Sequence, residues 1–457
     1  MKNTHRAVLY AFVMLVFVTG CKDSVAKDRF LDIQEVKSKS GITAWLVEDH
    51  SLPIIAIRFA FRGAGAAGDP PDKQGLAQLA SNTMDEGAAD IDSQTFQKTL
   101  TDNSITLSFG SGRDNFSGTL RTLTRTKDTA FNLLQLALTK PRFDAEAVGR
   151  MKASNITRLR SSLTNPQWIA ARIMNDVAFA GHPYAQNSGG TLTSLPTITP
   201  EDLRHFATTR LGRDNLVVAV TGDIDAKELS TMIDVVFGAL PEKSSVADVA
   251  DISIQGGGQT VFFEKDIPQT IIKIMQPGIG RDNPDYHTYQ AMNFILGGSG
   301  FGSRLMEEVR EKRGLSYGIY SGLYLLDHLK ALSISTSTEN KSAGDVLGLT
   351  RQEIEKIMKE PVSDTELTDA KSYLIGSMPL SLTSSGKISG LMLSLQLDRL
   401  PIDYLDTVDQ KISAVTVSKV QNIAQKYLQP DNLTTVLVGK PEGTTPTKTV
   451  DTLPNVE

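Results

Sequence analysis

The sequence predicts an α+β protein of two homologous domains, each a mainly antiparallel sheet packed with helices. Three observations carry this. First, an internal repeat places matching residues 217 positions apart: Leu211 and Leu428, Asp214 and Asp431, Asn215 and Asn432, Leu216 and Leu433, Gly222 and Gly439. Thr199 and Thr416 open a helical stretch upstream at the same offset, and an apolar run closes each copy. Second, strand-like segments come grouped and helix-like segments come grouped within each copy, the order expected of helices laid on an antiparallel sheet. Third, 457 residues exceed one ordinary core, at roughly 150 residues per domain.

In the first copy, alternation suited to half-buried strands occurs at 42–47 and 54–61, and again at 105–109 and 116–120. Helical periodicity occurs near 75–85, 144–160 and 167–179. The second copy repeats the order, with strands at 259–263, 270–275, 317–324 and 331–335 and helices near 285–296, 364–375 and 418–427. Between the copies, 240–258 is rich in charged and small residues and ends in Gly256-Gly257-Gly258, which suits an exposed, flexible connector. The expected organisation is a signal segment over 1–20, a tether over 21–34, an N-terminal domain over 35–239, a linker over 240–258, a C-terminal domain over 259–440 and a tail over 441–457.

Composition narrows the function. Hydrophobic residues at 40% and charged residues at 22% are those of a globular chain. A net charge of −5 argues against nucleic acid as a partner. A single cysteine excludes a disulfide framework and a thiolate zinc site. That cysteine ends Val18-Thr19-Gly20-Cys21, after a basic start (Lys2, Arg6) and an apolar run too short to span a bilayer. The pattern resembles a bacterial lipobox, which implies cleavage before Cys21 and acylation of its thiol. Lys22 follows, which favours outer-membrane over inner-membrane retention. The expected setting is a periplasm-facing lipoprotein that touches the membrane through its lipid anchor only.

Autonomous zinc or nucleophilic chemistry finds no support. Adjacent zinc ligands on a helix need i, i+3 or i+4 spacing, and no two of His5, His50, His182, His205, His287 and His328 lie within twenty residues of each other. Gly-x-Ser-x-Gly is absent. The run Gly297-Gly298-Ser299-Gly300-Phe301-Gly302 follows a helix rather than a strand and reads as a helix-to-helix turn, not a phosphate loop. His182, beside Pro183, reads as a structural loop residue. Arg150, Lys152, Arg158 and Arg160 read as the wet face of a helix or, equally, as an electropositive chamber wall.

Two segments carry a recognisable pattern. One runs Gly75-Leu76-Ala77-Gln78-Leu79-Ala80-Ser81-Asn82-Thr83-Met84-Asp85-Glu86-Gly87; the other contains Arg313-Gly314-Leu315-Ser316-Tyr317 behind Glu308-Val309-Arg310. Together they resemble the pitrilysin/insulinase-type zinc metallopeptidases, the inverzincins, and within them the bacterial two-domain subgroup similar to mitochondrial processing peptidase. The resemblance covers roughly 35–440. It includes the duplication, the segment Gly181-His182-Pro183-Tyr184 and the Asp-Asn-Leu triplet before each closing strand. It implies that each domain is part of a clamshell peptidase chamber.

The family's zinc helix carries His-x-x-Glu-His, two ligands and a base. By resemblance, those positions here are Gln78, Ser81 and Asn82, poor zinc ligands with no general base among them. The third ligand is a Glu about 75–80 residues on, yet 151–165 contains neither Asp nor Glu. The Arg and Tyr that face the zinc across the chamber correspond to Arg313 and Tyr317. Arg offers a planar fork to a carbonyl or carboxylate, and a Tyr hydroxyl can donate to an oxyanion. From residue type alone, Arg313 reads as a solvated charge and Tyr317 as a strand-face aromatic; the intact motif singles them out.

The implied function is the non-zinc, substrate-binding and oxyanion-stabilising subunit of a heterodimeric metallopeptidase acting on periplasmic peptides. Such a chain binds no cofactor and is inactive alone. Zinc is expected in a homologous partner subunit bearing His-x-x-Glu-His. The rival expectation is a catalytically inactive peptide-binding or scaffold lipoprotein.

Overall fold

The computed structural model of the chain describes residues 29–457, so the expected signal segment and the expected lipidation site Cys21 lie outside the described residues. In the first half the elements are β1 (Gln34–Lys37), β2 (Thr43–Glu48), β3 (Ile54–Arg62), α1 (Leu76–Ser81), α2 (Ser93–Asp102), β4 (Thr106–Ser111), β5 (Asn115–Leu123), α3 (Lys127–Thr139), α4 (Ala145–Ser162), α5 (Pro166–Ala178), α6 (Ser194–Thr197), α7 (Pro200–Arg210), β6 (Leu216–Gly222) and α8 (Ala226–Phe237). The second half follows with β7 (Thr260–Glu264), β8 (Gln269–Pro277), α9 (Tyr286–Asn293), α10 (Arg304–Met306), β9 (Ser316–Leu326), β10 (Leu329–Glu339), α11 (Ala343–Lys359), α12 (Asp364–Gly376), α13 (Ser385–Leu397), α14 (Leu405–Ser413), α15 (Val417–Tyr427), β11 (Thr434–Gly439) and β12 (Lys448–Thr449).

Two six-stranded sheets result, ordered β1-β2-β6-β3-β5-β4 and β12-β7-β11-β8-β10-β9. Position by position they are the same sheet. In each, the closing strand runs parallel to the opening one (β6 on β2, β11 on β7) and antiparallel to the next (β3, β8). The α+β expectation holds. The outermost position is filled differently: β1 precedes its neighbour in sequence and pairs antiparallel, whereas β12 comes from the expected tail and pairs parallel with β7.

The repeated residues have local jobs. Thr199 and Thr416 are N-caps, their hydroxyls accepting from Asp202 N and Lys419 N at 3.2 Å each. Asn215 ties the turn before β6, accepting from Gly212 N at 3.1 Å and donating to the carbonyls of Arg62 and Arg210 at 2.8 and 3.0 Å. Gly222 and Gly439 end their strands at φ 135° and 148°. A Cβ at Gly222 would stand 2.0 Å from the Ile54 carbonyl oxygen, so only glycine fits.

The halves exchange a helix. Val218 and Val220 of β6 face the first core, with Leu203, Phe206, Leu229 and Phe237. Their neighbours Val217 and Ala219 face the opposite way, onto Met392, Leu393 and Leu395 of α13 from the second half. Reciprocally, α5 of the first half lays Ile169, Ala170, Ile173 and Met174 on Ile271, Met275, Val436 and Val438 of the second sheet. Both sheets are thus covered on two faces, which is why β6 and β11 read as continuous apolar runs rather than alternating ones. Each buried aliphatic side chain contributes about 1.5–3 kcal/mol, so the exchange couples the halves.

The stretch between the halves has no regular element but is bonded along its length. Ser245 N donates to Thr209 O, Ile252 N to His328 O and Gln255 N to Ala178 O. His182 is structural, as expected: its Nδ1 accepts from Tyr184 N at 3.1 Å, so Nε2 donates to the Ala250 carbonyl at 2.8 Å. Among the described residues no helix is long and apolar enough to cross a membrane.

Candidate functional site

Helix α1 is short and is set by its N-terminal side. Gly75 enters at φ 89°, and the Asp69 carboxylate accepts from Ala77 N at 3.2 and 3.3 Å while pairing with Arg210 at 2.9 Å. The Asp69 side chain is 1% exposed, and burial pushes its carboxyl up to about 6 against the pull of Arg210 and the Ala77 amide. Removing one partner of such a pair strands a buried charge. Asp69→Ala is expected to lower the unfolding free energy by about 3–5 kcal/mol. Urea denaturation checks this, and a loss below ~1 kcal/mol would mean that Asp69 does not hold α1.

Leu76, Ala77, Leu79 and Ala80 are buried in the first core, which turns the other face of α1 toward α4. On that face Gln78, Ser81 and Asn82 come together. Gln78 Nε2 donates to Asn82 Oδ1 at 2.9 Å and to Ser81 Oγ at 3.2 Å, and Ser81 Oγ donates to the Gln78 carbonyl at 2.8 Å. Asn82 Nδ2 then reaches across to Asn155 Oδ1 on α4 at 2.8 Å. Asn155 stands 77 residues after Gln78, at the spacing of the third zinc ligand. An expectation restricted to Asp or Glu passes over it, and the spacing is the one signal of it in the sequence.

These four side chains do not fit a zinc ion. Their amide and hydroxyl groups are bonded to one another, with only the Asn155 Nδ2 donor left over, and no thiolate, imidazole or carboxylate is among them. Among the described residues no group of three or more His, Cys, Asp or Glu is placed to hold a metal.

Gln78 and Asn155 open onto a cavity of about 320 Å³ walled by Trp168 and Arg172 of α5, Arg158 of α4 and Arg113 from the loop before β5. The basic cluster of α4 divides here. Arg150 is neutralised by Glu86 and Glu146, both at 2.5 Å, and Lys152 bonds the Pro196 carbonyl, whereas Arg158 lines the cavity.

Arg313 and Tyr317 lie on the second half and do not line this cavity. Two π-helical turns, Phe294–Gly298 and Glu307–Glu311, flank the glycine-rich segment and lead into β9, confirming a helix-to-helix connection there. Arg313 Nη1 is held by the Glu308 carboxylate at 2.5 Å and the Glu308 carbonyl at 2.9 Å, leaving the other edge of its fork free. Lys312 and Arg313 hold the Glu308 carboxyl below the usual carboxylate range. Tyr317 is the second residue of β9 and is 87% exposed, its ring 5.2 Å from the Arg310 guanidinium, which also covers Phe301 at 4.4 Å.

Known proteins are similar to this chain in sequence and fold. Residues 197–374 match the Peptidase M16 inactive domain. A crystal structure of a peptidase M16 inactive domain from Pseudomonas fluorescens superposes with a TM-score of 0.84 at 29% identity, covering 91% of this chain and 100% of that one. The non-peptidase homolog YmxG of Helicobacter pylori is 27% identical over 397 residues, 86% of this chain and 90% of that protein. A mitochondrial-processing peptidase subunit beta from Saccharomyces cerevisiae is 22% identical over 72% of this chain and 74% of its own length. Sharing their fold along most of its length, the chain carries a Peptidase M16 inactive domain over residues 197–374 and is similar beyond it to inactive-domain members of that family.

Proposed function

We propose that the chain is the non-zinc subunit of a heterodimeric peptidase of the cell envelope, tethered at the periplasmic face through an acylated Cys21. It supplies Arg313 and Tyr317 in trans to a homologous partner bearing His-x-x-Glu-His. The observation that carries this reading is the exposure of Tyr317: a phenol 87% open to solvent, beside Phe301 at 70%, is presented outward from the chain. Phe301 and Tyr317 both lie against the Arg310 guanidinium, so the two exposed rings form one outward patch rather than scattered surface residues. In such a complex the free edge of Arg313 meets a peptide carbonyl and the Tyr317 hydroxyl donates to the oxygen as charge develops on it. The relative named as a subunit of mitochondrial-processing peptidase supports a paired mode of action.

The amide network linking Gln78, Asn82 and Asn155, and a relative named as a non-peptidase homolog, favour a second reading: a chain that holds peptides without any catalysis. A tagged pull-down from solubilised native membranes separates the two. Recovery of a His-x-x-Glu-His chain near 1:1, and peptide hydrolysis by the pair but by neither chain alone, is expected. Recovery of this chain alone, or with unrelated envelope proteins, moves the assignment to the binding scaffold.

A further inference from the structure

The cavity at the vacant zinc positions is strongly and one-sidedly charged. Three guanidinium groups line it, Arg113, Arg158 and Arg172, and no Asp or Glu does. Their partners are neutral. Arg113 Nη1 donates to the Tyr324 hydroxyl at 2.6 Å, and Arg172 donates to the carbonyls of Ala185 and Gln186. Arg158 forms no ion pair within 4.0 Å among the described residues. The nearby carboxylates are engaged elsewhere. Asp114 accepts from the Tyr184 hydroxyl and from Asp327 N at 3.0 Å, and Asp176, one turn beyond Arg172, faces Asn455 Nδ2 at 3.5 Å. Burial and the neighbouring Arg113 hold Arg172 down to about 10, against the pull of the Asp176 carboxylate, which forms no ion pair with it within 4.0 Å.

Buried donors are also left over. Arg172 and Asn155 are each 4% exposed, and Arg172 Nε and Asn155 Nδ2 have no hydrogen-bond partner. An unsatisfied buried donor costs about 1–3 kcal/mol, and two of them on one basic cavity call for an acceptor. Trp168, Leu159 and Ala171 supply the apolar part of the wall, beside Ser162, Asn175, Asn187 and Ser188, and ~300 Å³ is the lower end of a small-ligand site.

We propose that this cavity is a carboxylate-binding site that takes the acidic group of a peptide, either its C-terminal carboxylate or an Asp or Glu side chain. The guanidinium forks take the oxygens, the free Asn155 and Arg172 donors complete their coordination, and Trp168 and Leu159 flank the adjoining residue. The vacated metal position thus becomes an anion site. The inference goes beyond the partner reading and does not rest on it, because every lining residue falls between Gln78 and Gly189 of this chain.

Trp168 supplies the readout, since the only other tryptophan, Trp45, is buried against α13. The full chain is titrated with N-acetyl-tri-alanine as free acid, with its C-terminal amide, and with an amide containing one Glu, following tryptophan fluorescence. The free acid, the Glu-containing amide or both are expected to bind at least tenfold more tightly than the neutral amide. Which of them binds identifies the source of the carboxylate. Arg158→Gln, at an exposed residue with no structural partner, is expected to weaken that binding roughly tenfold with thermal stability unchanged, a charge-assisted hydrogen bond being lost. Equal binding of acid and neutral amide, no binding of any probe at 10 mM-scale concentrations, or an Arg158→Gln variant that binds like the wild type overturns the proposal. A chain that purifies without a peptidase partner leaves it standing.

Discussion

In the proposed two-chain peptidase, Tyr317→Phe is expected to lower kcat by about 10²–10³-fold, the effect of deleting one oxyanion donor, with KM and assembly little changed. The size follows from the timing of the contact. A phenol donates weakly to a neutral peptide carbonyl and strongly to the oxygen once it carries negative charge, so the missing hydrogen bond is one made chiefly in the transition state. Removing such a bond lowers kcat and kcat/KM together.

The substitution is clean because of where the ring sits. Phenylalanine keeps the face that lies 5.2 Å from Arg310, and the 87% exposure of Tyr317 means that no core contact is lost. The Glu308 clamp on Arg313 is untouched. Steady-state kinetics on the 1:1 complex, with thermal unfolding as the control for folding, makes the measurement. A Tyr317→Phe complex of full activity would remove Tyr317 from the chemistry and leave the chain as a binding subunit.

Much of the fold could be read from the chain because the repeat is anchored by residues with stereochemical jobs. Gly222 and Gly439 admit no side chain, Thr199 and Thr416 cap helices, and Asn215 ties a turn; such positions tolerate few alternatives. The helix exchange was not legible. Residues of α5 and α13 carry the apolar faces expected of helices on a sheet, and nothing in periodicity says which sheet. One hint was available: α13 spreads Ile388, Leu391, Leu393, Leu395 and Leu397 around its circumference, as a helix enclosed on several sides does. The pairing of residues 448–449 as β12 was invisible because an edge strand of two exposed residues has no apolar alternation to detect. At the site, the motif singles out Gln78, Ser81, Asn82, Arg313 and Tyr317, and the structure brings the first three together; spacing alone hints at Asn155, while Arg113 and Arg172 join them only through tertiary structure. Their cavity assembles from three helices, α1, α4 and α5, and two loops that the sequence separates by up to 111 positions, from Gln78 to Gly189.

Zinc affinity is expected to return when Gln78→His, Asn82→His and Asn155→Glu are combined, with a Kd low enough that excess zinc raises the stability of the variant by about 2.7 kcal/mol at a hundredfold excess over Kd. The backbone already delivers the three positions to one point: the 78 and 82 side chains meet at 2.9 Å and the 82 and 155 side chains at 2.8 Å, as i, i+4 residues of one helix facing another should. What separates this chain from a zinc protein on this view is the side chains, not the scaffold. The electrostatics pull the other way, because Arg113, Arg158 and Arg172 surround the same cavity and repel a dication. Adding Arg158→Gln to the triple variant should therefore tighten zinc severalfold while weakening carboxylate binding, opposite signs from one substitution. Titration calorimetry with zinc reads the first and tryptophan fluorescence the second. A triple variant that takes up no zinc even with Arg158→Gln would mean that α1 and α4 no longer stand at ligand distance once the amide network is gone, and that the loss of the metal has been fixed in the backbone as well as in the side chains.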